Sequence, residues 1–139
     1  MMIPHHEQAV EMSDTLLAKG GIDEQVRELA TQIKDAQQPE IDRLRERLSE
    51  WGEEEADMGG MNHGGMMTDE DMADLESATG VEAARLFLEQ MTVHHEGAIA
   101  MAEAEVDDGE NADAQAMAAT IVSTQTEEIT LMQELLASL

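Results

Sequence analysis

The residues with chemistry to offer come in two matched sets. Met2-Ile3-Pro4-His5-His6-Glu7-Gln8-Ala9-Val10-Glu11-Met12 matches Met91-Thr92-Val93-His94-His95-Glu96-Gly97-Ala98-Ile99-Ala100-Met101 at an offset of 89. Each set places a His-His pair between two methionines. Imidazole is a borderline metal ligand, and thioether sulfur favours soft ions such as Cu(I) and Ag(I). Methionine and histidine three or four residues apart share one face of a helix, so one helix can present both. The candidate ligands are Met2, His5, His6 and Met12 in the first set, and Met91, His94, His95 and Met101 in the second. The competing reading is structural. In it, His5 and His94 are core histidines hydrogen-bonded to Glu40 and Glu128, and methionine fills gaps as soft packing.

Those residues need helices to hold them. Further on, Ile33, Gln37, Glu40, Ile41 and Leu48 match Ile121, Gln125, Glu128, Ile129 and Leu136 at an offset of 88. One residue lost in a loop, Gly20-Gly21 against Asp108-Gly109, reconciles the two offsets. Each copy therefore reads as helix, glycine turn, helix. The spacing predicts helices over roughly 4–18, 23–50, 81–106 and 111–138, with a short one from Thr68 to about Gly80. Pro39 should kink or interrupt the second. No alternating β-branched run suggests a strand. The expected fold is all-α: a four-helix bundle of two duplicated hairpins, with a short extra helix in the linker. Residues 1–139 form one domain, divided into a first repeat (1–51, closed by Trp51), a linker (52–80) and a second repeat (81–139).

The stripes place the polar residues. On the long helix, Ala84, Phe87, Met91, His94, Ala98 and Met101 share a face, which aims His94 inward and sets His95 at the edge. The partner helices are apolar except at Gln37, Glu40, Gln125 and Glu128. Buried polar groups are costly without partners, and these four suit the second nitrogen of a ligating imidazole. A carboxylate di-iron site, with Glu-x-x-His on facing helices, is a weaker alternative, because the chain has no Glu-x-x-His. The linker adds a separate candidate: Met61, His63, Met66 and Met67, after Met58, could wrap a soft ion, or could be incidental in a Gly-rich connection.

Composition excludes other classes. With 7 basic and 32 acidic residues in 139, the net charge is −25, which opposes binding to nucleic acid or anionic lipid. There is no cysteine, hence no thiolate site and no thiol nucleophile. No serine sits in a nucleophile-elbow context, and there is no phosphate loop. No apolar run is long enough to span a membrane. The second repeat starts about ten residues earlier than the first: Phe87 and Leu88 would map ahead of Met1. The repeat thus leads us to expect a chain cut at its N-terminus, lacking whatever preceded Met1, an export signal included.

The two His-His motifs, the Gln-x-x-Glu-Ile pairs at 37–41 and 125–129 and the stretch at 65–68 resemble the domain-of-unknown-function 305 family, over nearly the whole chain. The resemblance implies a ferritin-like helical fold and an extracytoplasmic setting, periplasmic or secreted. It also implies kinship with periplasmic copper-binding proteins linked to copper tolerance. Copper is the expected cargo, Cu(I) first and Ag(I) or Cu(II) next, with iron less favoured. The expected role is sequestration or delivery, not catalysis, with a metal-exchange partner or a homo-oligomer left open. A helical interaction module without metal is the remaining alternative. The chain departs from the family pattern in the turn ahead of Met2 and in Thr92-Val93, where the first copy has Ile3-Pro4.

Overall fold

A computed structural model describes residues 2–50 and 65–139. Trp51, Met58, Met61 and His63 lie outside the described residues. Five helices are described: α1 (Met2–Leu17), α2 (Glu24–Glu50), α3 (Asp69–Ser77), α4 (Gly80–Asp108) and α5 (Ala112–Ser138). The α1·α2 and α4·α5 hairpins supply most of the packing. The hairpins meet chiefly through α1 and α4, while α2 and α5 barely touch.

The helix ends follow local chemistry. Gly21 turns the α1–α2 connection at φ 72°, a left-handed conformation that glycine adopts without a Cβ penalty. Thr68 and Asp71 form a reciprocal capping box at the start of α3. The Asn111 side chain accepts from the backbone N–H groups of Asp113 and Ala114 and starts α5. Pro39 does not interrupt α2, which runs on as one helix. Proline there forgoes one backbone hydrogen bond, but Ile33, Gln37 and Ile41 stay buried on either side of it.

The core is lopsided. A large apolar cluster gathers Met12 and Leu16 from α1, Val26, Leu29 and Ile33 from α2, Leu75 from α3, Phe87, Leu88 and Met91 from α4, and Met132 from α5. A second cluster at the other end of the bundle has only Ala102, Ala118 and Ile121 at its centre, with Met2, Met117 and Val122 packed around them. Between the two lies the histidine layer. The segment ahead of α3 crosses α4 where Gly65, at φ 82°, leaves no room for a Cβ: it would stand 2.6 Å from the Val93 carbonyl oxygen and 3.0 Å from the Gly97 Cα. Gly97 stands where the first repeat has Gln8, and that glutamine secures the same segment, accepting from the Met67 N–H at 2.7 Å and donating to the Met67 carbonyl at 2.9 Å.

Candidate metal centre

All four motif histidines are buried. His6 and His95 are fully enclosed, and His5 and His94 are 1% exposed. A 3.6-residue period carries adjacent residues about 100° apart, so a two-histidine motif stays inside only if α1 and α4 pack on both flanks. They do: α1 lies against α2 and α4, and α4 against α5 and α1. The edge position expected for His95 is corrected accordingly.

The two histidines of each pair play different parts. His5 and His94 face each other across the α1–α4 seam, ring centroids 3.7 Å apart and tilted by 44°. The outer pair reaches the carboxylates: His6 Nε2 lies 2.6 Å from Glu40 Oε2, and His95 Nε2 is hydrogen-bonded to Glu128 Oε2. The structural alternative assigned these glutamates to His5 and His94. The bonds go instead to the neighbouring residues, because His6 and His95 are turned toward their own hairpin partners. His6 also donates from Nδ1 to the Met2 carbonyl at 3.1 Å, so both of its ring nitrogens are engaged. Metal ligation through His6 would require one of these bonds to break.

What remains in the layer is a set of buried polar atoms with no side-chain hydrogen-bond partner. They are both ring nitrogens of His94, Nδ1 of His95, the amide atoms of Gln37, Gln125 Oε1 and Glu128 Oε1. Native proteins rarely leave such atoms unsatisfied without a structural or functional reason. The expected use of Gln37 and Gln125 as hydrogen-bond partners of histidine is not seen, whereas that of Glu40 and Glu128 is. The His94 pKa is held well below the 6.5 of free imidazole, first by burial and then by repulsion from His5, His95 and His6. The His5 backbone opposes this weakly. A neutral imidazole keeps the lone pair that a metal needs.

The methionines frame this layer in cross-repeat pairs. Met12 and Met91 lie fully buried in the large cluster. Met2 and Met101 line a cleft of about 360 Å³ at the opposite end, together with Met117, a third thioether that the repeat did not single out because its counterpart is Leu29. Its place in the periodic apolar stripe of α5 was its only sequence signal. Of the linker candidates, Met66 and Met67 are half-buried. Met67 packs on the large cluster and is pinned through its backbone by Gln8, which makes it packing material there. Among the described residues, no three His, Asp or Glu side chains converge on a common point. A His-and-carboxylate di-metal site therefore has no ready donor set among the described residues. The donor chemistry fits a soft ion.

Fold and site together define an all-α duplicated hairpin protein with a buried histidine layer between methionine pairs. The chain belongs to the family described as Domain of unknown function (DUF305), whose model matches residues 1–136. A DUF305 protein from Streptomyces coelicolor, inferred to be secreted, is similar at 34% identity with a TM-score of 0.91, covering 99% of this chain and 88% of that one. A DUF305 fragment from Deinococcus radiodurans is similar at 30% identity and TM-score 0.89, over 99% and 91% of the two chains. CopM in its Cu(I)-bound form is similar at 25% identity and TM-score 0.83, again over 99% and 91%. CopM has also been solved with Cu(II) and with Ag. No curated protein matches the chain. Among the described residues, no helix is long and apolar enough to cross a membrane.

Proposed function

We propose that this protein binds a soft metal ion as cargo, Cu(I) first and Ag(I) or Cu(II) next, in the layer between α1 and α4. The observation that carries this reading is His94. It is buried and held neutral, neither ring nitrogen bonds a side chain, its ring lies against His5, and methionine pairs lie on both sides along the helices. Two of His94, His5 and His95 (through Nδ1) would supply nitrogen, and the methionine pairs sulfur. Glu128 fixes the His95 ring by holding Nε2, the usual task of an outer partner of a metal-ligating imidazole.

The copper- and silver-bound forms of CopM support the choice of ion, and the secretion inferred for the Streptomyces coelicolor relative supports a setting outside the cytoplasm. The whole of residues 1–139 then acts as one ferritin-like four-helix unit for sequestration or delivery, with no catalytic step and with a separate protein to exchange metal with. The test is a titration of the apoprotein with Cu(I), without oxygen and against a competing chelator. At least one tight equivalent is expected. Its affinity should fall by about tenfold or more in His94→Ala and in the double variant Met91→Leu/Met101→Leu, with helicity retained. Unchanged affinity in both variants would make the layer packing only.

A further inference from the structure

Residues 65–77 form a strap on the α1–α4 side of the bundle, where α3 packs on both helices. On α4, Gly65 lies against the backbone at Val93 and Gly97, and the Gln90 side chain donates to the Asp71 carbonyl at 2.9 Å. On α1, Gln8 holds the N–H and the carbonyl of Met67, and Lys19 donates to the Glu76 carbonyl at 2.6 Å. All of these side chains grip the strap by its backbone, so α1 and α4 decide where it lies. Gln8 follows His5 by three residues, and Gly97 follows His94 by three. At about 100° per residue, each stands roughly 60° around its helix from the histidine. Gly65 and Met67 are so close in sequence that they can be at most about 7 Å apart. One short stretch therefore reaches both helices within a turn of the stacked His5–His94 pair. Gln8 and Gly97 are counterparts in the repeat, and they differ as the crossing requires: glycine where the chain comes closest, glutamine where it is fastened.

We infer that the ion enters and leaves the histidine layer across the α1–α4 seam beneath this strap, and that Gln8 is the positioning residue that sets the rate. The inference rests on the proposed function and adds the route to it. Other flanks of the layer are shut more firmly. The His6–Glu40 and His95–Glu128 bonds tie it to α2 and α5, and fully buried Met12 and Met91 close it toward the large cluster. The crossing, by contrast, is fastened by two hydrogen bonds from one half-buried side chain. Bonds of that strength can open locally while the bundle stays folded. Leu75 is buried in the large cluster and keeps α3 seated, so the part that lifts is residues 65–68. Gln8 touches no ion in this account. It acts through Met67, by holding the crossing down over the two histidines.

Two variants release the crossing in different ways. Gln8→Leu removes both bonds to Met67, and Gly65→Ala sets a Cβ 2.6 Å from the Val93 carbonyl oxygen. The first readout needs no metal: modification of each histidine by diethyl pyrocarbonate in the apoprotein, followed by peptide mapping. In both variants His5 and His94 should react about tenfold faster than in the unaltered chain, while His6 and His95, tied to α2 and α5, keep their rates. Unchanged rates at His5 and His94 would overturn the inference and leave the strap as packing. Equal acceleration at all four histidines would also overturn it, because general loosening would then be the cause. The second readout is Cu(I) exchange with a chelator, without oxygen. Uptake and release should both quicken about tenfold with affinity held within about twofold, as a lowered barrier requires. Faster release matched by an equal loss of affinity would overturn the route and make the strap part of the bound state. Absence of Cu(I) uptake by the unaltered chain would defeat the proposed function, whereas the metal-free rates judge the strap by themselves.

Discussion

The two ends of this bundle are built from one repeated sequence and differ mainly in what one short segment adds. At the closed end, the first turns of α4 bring Phe87 and Leu88 into a cluster that also recruits Leu75 from α3. At the open end the same framework surrounds about 360 Å³ of cleft. The side chains follow suit. Leu16, Val26 and Leu29 are buried, whereas their counterparts Glu105, Ala114 and Met117 are partly exposed. A helical repeat fixes where side chains point, but whether a position becomes core depends on what closes over it.

The largest contrast should come from cutting into each end. Phe87→Ala should cost about 3–5 kcal/mol of stability, since a fully buried aromatic is lost from a packed cluster. Met117→Ala should cost less than about 1 kcal/mol, because its surroundings already open on the cleft. Urea unfolding of both variants measures the difference, and equal losses would erase the distinction between the ends.

The histidine–glutamate bonds offer a finer comparison. Glu128 is almost wholly enclosed, while the Glu40 side chain is 15% exposed. Glu128→Ala should therefore destabilise by about 1–3 kcal/mol through the lost bond to buried His95. Glu40→Ala should cost less, because water can reach that site. Reversal of this order in equilibrium unfolding would show that burial does not set the strength of the pair.

A third expectation concerns acidity. The His94 pKa is depressed in the folded state and ordinary, near 6.5, in the unfolded chain. Above that value both states carry neutral His94 and the shift has no effect. As pH falls below 6.5 the unfolded chain takes up a proton that the folded one refuses, so stability declines, by at most about 1.4 kcal/mol per pH unit from this group. The decline ends once pH drops below the folded pKa. Measured between pH 6.5 and 5.5, the apoprotein should lose more stability than His94→Leu. Parallel profiles would mean that His94 titrates normally.

Much of this was legible in the amino-acid sequence. Apolar periodicity gave the helices, because a 3.6-residue stripe has no other stable use. The duplicated His-His motif gave the layer and both methionine pairs. Only the tertiary structure decided the rest, because those features depend on helix rotation and on contacts between distant segments. Spacing could not say that His6 and His95, and not their neighbours, would reach Glu40 and Glu128, since one residue turns a side chain by about 100° and the roll of each helix is set by its partners. Nor could it say that Met117 would join Met2 and Met101 around a cleft while Met12 and Met91 were sealed away. Residue types and their order along the helices were fixed locally. Which of those residues stay open and which are buried was settled by how the two hairpins close on each other.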